Sequence, residues 1–242
     1  MNSWMKKLNS SIKYTILHPQ WLSNRYHRIS QKELTSIENS VVLEIGSGDS
    51  SLESLIGPSN QSLKLDYPKT NQRYTKKPAI FADAAHLPVK DGSIDAVLFL
   101  EVAEHIPQDK KPIKEISRIL KPGGLLYFSV PFIYPMHDQP YDYRRYTVHG
   151  INALLSEHGF SVKNIKQHGN SFVTALQLLN LSILELCKNA LSKNLLSGII
   201  LILLFYPVCM LVNIAGGLGI PLTNLNASCF GHFVVAEKYR ES

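Results

Sequence analysis

Val41-Val42-Leu43-Glu44-Ile45-Gly46-Ser47-Gly48-Asp49 is a run of apolar, mostly β-branched residues that ends in a glycine turn. Such a run predicts a buried strand, and the glycines let a ligand approach backbone where a Cβ would otherwise stand. A short helix over Ser50–Leu55 is expected next, followed by strands at Ser62–Leu65, Ala79–Ala82, Ile94–Leu100 and Leu125–Val130. Between them Ile113, Ile116 and Leu120 form one stripe over a helix at Lys111–Leu120, which Lys121-Pro122-Gly123-Gly124 is expected to stop and turn. Thr147 is placed to cap a helix carrying Ile151, Leu154 and Leu155; Gly159 ends it before a strand at Phe160–Ile165. Strands alternating with helices in this way read as a parallel sheet with crossover helices.

Carboxylates recur at the strand ends. Asp66 stands 22 residues after Glu44, the spacing at which a carboxylate in a nucleotide-binding βαβ unit reaches ribose hydroxyls. Asp83 ends the third strand. Three acidic residues at the carboxyl ends of successive parallel strands line one crevice, the ligand position in open α/β sheets.

Of the 242 residues 45% are apolar and 18% charged, with 14 glycines and 3 cysteines, which excludes collagen, a disulfide scaffold and wholesale disorder. The length predicts one large domain, or one domain with an appendage. Charge is unevenly placed. No Asp, Glu, Lys or Arg occurs from Asn194 to Ala236, whereas Lys6, Lys7, Lys13, Arg25, Arg28 and Lys32 face only Glu33 near the N-terminus. That arm supplies most of the net charge of +6 and holds Trp4 and Trp21, a mixture that settles at a membrane surface; no nucleic-acid partner is expected. Met5, Leu8, Ile12 and Ile16 predict an amphipathic helix ending before Pro19, without the apolar run and cleavage site of a signal peptide. Cys187, Cys209 and Cys229 show no C-x-x-C and no histidine at ligand spacing, so buried thiols are expected and no metal site.

After Gly169 the pattern changes. Phe172, Leu176, Leu179, Ile183 and Leu186 recur at helical spacing, and Leu195–Leu222 is long enough for a bilayer core of about 30 Å. Pro207, Asn213, Gly216, Gly217 and Pro221 are expected to interrupt it, with Tyr206-Pro207 as the bend of a shallow re-entrant or interfacial segment. Two helices joined near Lys188–Asn194, or an oligomer burying the block between subunits, are the alternatives. Cys229–Glu237 alternates like a closing strand.

VLEIGSGDS, the LDY containing Asp66, FADAAHLPVKDGSIDAVLFLEVAEHI and ISRILKPGGLLYFSVP lie within residues 41–131 in an order and spacing that resemble the class I S-adenosylmethionine-dependent methyltransferases, in the branch of small-molecule and quinone methyltransferases. The resemblance implies a Rossmann-like α/β fold: a seven-stranded, mostly parallel, doubly wound sheet whose last strand enters antiparallel between the fifth and sixth. It further implies S-adenosyl-L-methionine as cofactor, with Glu44, Gly46 and Gly48 around the methionine end and Asp66 on the ribose. Asp83 and the backbone of Ala84 would read the adenine, and Glu101 would sit near the sulfonium. The charge pattern agrees. A sulfonium suits carboxylates, whereas a dinucleotide pyrophosphate prefers a helix N-terminus without Glu44 and Asp49 beside it, and Gly46–Ser51 has no third glycine.

Pro131–Thr147 packs four tyrosines, a histidine, two aspartates and two arginines into one loop. It resembles a segment of methyltransferases from bacterial surface-polysaccharide and lipid-linked glycan gene clusters. Aromatic faces bind sugar rings, and arginine forks onto phosphate or carboxylate. His137 is the expected general base and Asp138 its orienter. Tyr141, Asp142, Arg144 and Arg145 are candidate substrate contacts, with a loop-holding pair between Asp142 and either arginine as the structural alternative. His105, one helical turn beyond Glu101, either joins the substrate side or packs.

The chain is thus expected to comprise a basic amphipathic arm (1–35), a methyltransferase core (36–169), an apolar membrane-associating helical insertion (170–226) and a final core strand with the C-terminus (227–242). The expected function is O-methylation of a glycan or lipid-linked saccharide at the cytoplasmic side of a membrane, a bacterial inner membrane, with the chain peripheral or re-entrant. A quinone or isoprenoid-lipid methyltransferase and a non-catalytic, membrane-bound cofactor-binding scaffold are the alternatives.

Overall fold

A computed structural model describes residues 11–48, 52–69, 77–219 and 225–240. Met5 and Leu8 of the predicted N-terminal helix lie outside these residues, as do Trp4, Asp49–Ser51, Pro221 and Leu222.

Seven strands form one sheet: β1 (Val41–Ile45), β2 (Gln61–Asp66), β3 (Ile80–Phe81), β4 (Ile94–Leu100), β5 (Leu120–Pro131), β6 (Phe160–His168) and β7 (Gly231–Lys238), in the order β3-β2-β1-β4-β5-β7-β6. β1 to β5 pair in parallel, while β7 runs antiparallel to β5 from Leu125↔Glu237 to Pro131↔Gly231. Strand order reverses between β1 and β4, the switch point where such sheets open a crevice at their carboxyl ends. Successive strand residues serve opposite faces. Leu43, Phe99 and Phe128 pack with Ile113, Ile116 and Ile119 on one side; Val42, Leu98 and Tyr127 pack with Leu34, Ile37 and Ile56 on the other. Covering both faces is what makes β1 and β4 near-continuous apolar runs.

The helices are α1 (Trp21–Gln31), α2 (Glu53–Ile56), α3 (Lys110–Ile119), α4 (Val148–Glu157), α5 (Ser171–Lys193) and α6 (Leu195–Gly219). Thr147 caps α4 as expected, its hydroxyl accepting from Gly150 N at 3.1 Å. The described end of the expected arm helix, residues 11–12, is helical, and a further helix, α1, follows Pro19. His18 leads into α1: its Nδ1 accepts from Gln20 N at 3.1 Å and its carbonyl from Trp21 N at 2.9 Å. One expectation fails locally. The turn expected at Lys121–Gly124 is instead a bulge inside β5, where the register with β4 jumps from Ile94↔Leu120 to Ala96↔Leu125. Gly123, at φ +80°, absorbs the extra residues.

The chain divides into two compact units. One comprises Gln31–Phe132, Met136–Lys166 and Gly231–Ser242, and the other Met1–Ser30, Ile133–Pro135 and Gln167–Phe230. In the second unit α5 and α6 form an antiparallel hairpin with its turn at Asn194. Asn170 Nδ2 donates to Gly219 O at 3.1 Å, Asn180 Nδ2 to Asn213 Oδ1 at 2.9 Å, and Gly198 lies against Leu191. The predicted break at Tyr206-Pro207 is absent: α6 runs through Pro207. The loss of one helical hydrogen bond there is offset by the contacts beyond it. Asn213 Nδ2 donates to Ile16 O at 2.7 Å and His18 O at 2.9 Å, and a Cβ on Gly216 would meet Leu22 at 2.6 Å. Asn213 and Gly216, expected as interruptions, are packing contacts. Cys187 and Cys209 are buried free thiols packed with Ile183. Both helices are long and apolar enough to cross a membrane, and α6 leaves Leu195, Leu196, Ile200, Leu203, Leu204, Leu211 and Leu218 exposed.

Candidate active site

The sheet unit gathers the predicted cofactor residues at the carboxyl ends of β1, β2 and β4. Gly46 turns the chain out of β1 at φ +77°, where its N–H and that of Ser47 donate to Leu65 O. A Cβ on Gly46 would stand 2.4 Å from Val102 Cγ2, so the turn admits only glycine without movement. Asp66, 5% exposed, accepts from Gly48 N at 2.8 Å through Oδ2 and from Tyr67 N at 2.7 Å through Oδ1. A carboxylate has about four acceptor sites, so two remain for a pair of hydroxyls. Asp83 is exposed and accepts from Ala85 N at 2.8 Å, beside the buried Ala84.

Glu44 lies inside β1 between Leu43 and Ile45. Burial pushes its carboxyl up to about 7, against the pull of Lys64 and a backbone hydrogen bond from Leu52 and with the push of Glu53 and Asp66. Lys64 is opposite Glu44 in register but pairs with Glu53 at 2.8 Å. At the end of β4, Glu101 takes φ +56°, an uncommon backbone for a residue with a side chain. Its Oε1 is buried with no hydrogen-bond partner among the described residues. An orphaned carboxylate oxygen and a partly neutralised glutamate are what a cationic ligand would satisfy.

Beyond Glu101, a short 3-10 turn at Ala103–His105 carries a second polar group. Glu104 is 0% exposed and neither of its oxygens has a hydrogen-bond partner among the described residues. Burial, then the Glu101 carboxylate, push it well above the ordinary range, while Arg145 pulls it down. Its Oε1 lies 3.7 Å from His105 Nε2 and 3.9 Å from His137 Nε2, and the two imidazole rings meet edge to face at 5.0 Å. Glu104 escaped the sequence reading; the signal was the acidic pair Glu101-x-x-Glu104 directly before His105.

The loop residues separate in the structure. The carboxylate that holds His137 is Asp142, which accepts from His137 N at 3.0 Å and lies 3.3 Å from its Nδ1. Asp138, expected in that role, is exposed at φ +47°, and the contact to the His137 ring is made by Asp142, five positions after the histidine. Arg145 grips Asp142 with two hydrogen bonds of 2.5 and 2.7 Å, and that grip holds the Asp142 carboxyl down to about 2. Arg144 instead pairs with Asp109 and donates to Pro107 O at 2.6 Å, and Tyr146 also donates to Asp109 at 2.7 Å. Arg145 thus makes the loop-holding pair with Asp142, while Arg144 is tied to Asp109. Tyr141 and Tyr143 remain 48% and 44% exposed, and the Tyr141 carbonyl meets His105 Nδ1 at 2.7 Å.

Comparison with known proteins agrees with this geometry. Residues 43–128 match the model of the family described as "Methyltransferase domain". The chain is 30% identical over 131 residues to a "Probable S-adenosylmethionine-dependent methyltransferase" of Mycobacterium tuberculosis, covering 49% of this chain and 48% of that protein. It is 29% identical over 150 residues to an arsenite methyltransferase of Aquipseudomonas alcaligenes, covering 53% and 42%. The chain therefore spans about half the length of the curated relatives it matches. Among solved structures, the [4+2]-cyclase SpnF superposes with a TM-score of 0.56 at 15% identity, covering 90% of this chain and 81% of that one. Phosphoethanolamine N-methyltransferase 2 of Haemonchus contortus, solved with S-adenosyl-L-methionine, does so at 0.51 and 15% identity, covering 99% and 61%. These two establish the fold alone; the likeness in sequence rests on residues 43–128 and on the strand-end residues they contain. That match and the S-adenosylmethionine-dependent relatives support a methyltransferase domain of the class I, S-adenosylmethionine-dependent type in this chain.

Proposed function

We propose that this protein transfers a methyl group to a hydroxyl of a glycan or lipid-linked saccharide at the cytoplasmic face of a membrane. The sulfonium of S-adenosylmethionine supplies the electrophilic methyl. Gly46 and Gly48 leave the backbone open to the cofactor's methionine end, and ionised Glu44 faces its positive charge. Asp66 accepts from the ribose hydroxyls, Asp83 and Ala84 meet the adenine, and the free Oε1 of Glu101 faces the sulfonium. The observation that carries the acceptor side is the Glu104–His105–His137 cluster, two of whose members lie on the turn that follows Glu101, with the exposed Tyr141 and Tyr143 in the loop that supplies His137. His137, turned by Asp142, receives the acceptor proton.

The membrane reading rests on α5 and α6. At 1.5 Å per residue the helices span about 34 and 37 Å, more than a bilayer core. A helix that is apolar around its circumference yet exposed belongs in lipid. Glu185, Lys188 and Lys193 all fall in the last nine residues of α5, nearest the turn at Asn194, where a crossing hairpin would place them in the far headgroups. Because β6 and β7 belong to one sheet, both ends of the hairpin return to one side.

The test is a comparison of lipid-linked glycans and lipids from cells with and without the protein. A glycan species lighter by one methylene, about 14 Da, is expected on removal, restored by purified protein with S-adenosylmethionine. The same shift confined to a quinone or isoprenoid lipid would overturn the glycan assignment.

A further inference from the structure

We propose that Glu104, His105 and His137 form a binding site for a divalent metal ion of the zinc class, through Glu104 Oε1, His105 Nε2 and His137 Nε2. These three ligand atoms all lie within 4.8 Å of one another. The separations of 3.7 and 3.9 Å from Glu104 Oε1 to the two nitrogens are too long for hydrogen bonds. Ligands at about 2.0–2.2 Å from a tetrahedral ion stand roughly 3.3 Å apart, so side-chain shifts well within rotamer freedom would bring these two pairs onto one ion.

The protonation pattern points the same way. A backbone carbonyl only accepts, so the 2.7 Å contact between His105 Nδ1 and Tyr141 O puts the proton on Nδ1 and presents the Nε2 lone pair toward Glu104. His137 Nδ1 lies 3.3 Å from the Asp142 carboxylate, itself clamped by Arg145. A carbonyl on one histidine and a carboxylate on the other are the outer partners that orient metal-binding imidazoles. Beside both imidazoles stands a fully buried carboxylate without a hydrogen-bond partner among the described residues. A buried carboxylate oxygen grouped this closely with two imidazole nitrogens is what a divalent cation would satisfy. Two imidazoles and one carboxylate favour zinc over magnesium or calcium, which take all-oxygen sets.

Three protein ligands leave a fourth position, the pattern of a catalytic zinc site. Here the inference rests on the function proposed above: the acceptor hydroxyl would take that position, and the ion would lower its pKa. His137 then coordinates in place of accepting the proton. The O–H proton goes to water, the oxygen pair forms the new C–O bond, and the C–S pair stays on sulfur as the neutral thioether.

Metal binding itself does not depend on that step and is tested separately. The full chain, purified in detergent and stripped with a chelator, is titrated with zinc against a chromophoric competitor and with cobalt(II) for its visible spectrum. S-adenosylmethionine affinity is measured on the same samples. One equivalent of zinc and an intense tetrahedral cobalt spectrum are expected. His105→Ala and Glu104→Gln should each weaken zinc by at least the ~10- to 100-fold that loss of an outer partner costs, while His86→Ala, outside the cluster, leaves it unchanged. A chain that binds S-adenosylmethionine but no stoichiometric zinc, or zinc binding indifferent to both cluster variants, overturns the metal site and leaves the methyltransferase reading standing. Stoichiometric zinc lost in the cluster variants supports the site even if the chain fails to bind S-adenosylmethionine, in which case the methyltransferase reading is what fails.

Discussion

Glu44→Gln should make the protein more stable at alkaline pH while weakening its hold on the cofactor. Glu44 is 6% exposed, and burial raises its carboxyl to about 7 from an ordinary value near 4.5. For an acid with a raised folded-state pKa, the stability of the neutral form is fully present below the unfolded value and is lost as pH climbs through the folded one. The loss therefore builds between pH 4.5 and 7 and is constant above. Linkage with these two values gives a cost of under about 1 kcal/mol at pH 5 and about 3 kcal/mol at pH 8. Gln keeps the shape and cannot ionise. Urea unfolding of cofactor-free wild type and Glu44→Gln at pH 5 and pH 8 isolates the residue, because other titrations are common to both chains. The gap between their unfolding free energies should widen by about 2 kcal/mol toward pH 8. Parallel pH dependences would refute the placement of a titrating carboxylate in β1. The same cost explains the site: a bound cation restores the ionised form, so calorimetry near pH 6 should show proton release on S-adenosylmethionine binding to wild type and less in Glu44→Gln.

Asp66→Ala should weaken S-adenosylmethionine by roughly tenfold to a hundredfold, from hydrogen bonds to a charged group worth about 1.5–3 kcal/mol; unchanged affinity by calorimetry removes the ribose role. Gly46→Ala should lower the urea midpoint through its positive φ, about 1–2 kcal/mol, and its clash with Val102, and adding Val102→Ala should recover part of the loss; no recovery would place the cost elsewhere. His137→Ala should cut turnover by about 10² to 10⁴ with S-adenosylmethionine affinity nearly intact, and wild-type turnover would demote His137 to loop packing. A cysteine at Asn194, the hairpin turn, should react with an impermeant thiol reagent only from the outer face of intact cells; labelling only from inside would refute a crossing hairpin.

Residues close in the chain wrote their own structure. The β1 strand and its glycine turn, the stripe Ile113–Ile116 and the Thr147 cap each depend on side chains a few positions apart, so period and spacing sufficed to place them. The apolar strands also fixed a sheet covered on both faces, and the spacing from Glu44 to Asp66 set two carboxylates at neighbouring strand ends. Contacts across long separations were decided only by the tertiary structure. Glu104 and His137 meet although they are 33 positions apart in the chain, and nothing local marks Asp142 over the adjacent Asp138 as the partner of His137. Pro207 reads locally as a break, yet α6 continues because Asn213 and Gly216 are held by residues near 16–22 that no helical window contains. Lys121-Pro122-Gly123-Gly124 reads as a turn, but pairing with β4 draws it into β5 as a bulge. In each case a non-local hydrogen bond or packing contact outweighed a local propensity of a few kcal/mol at most.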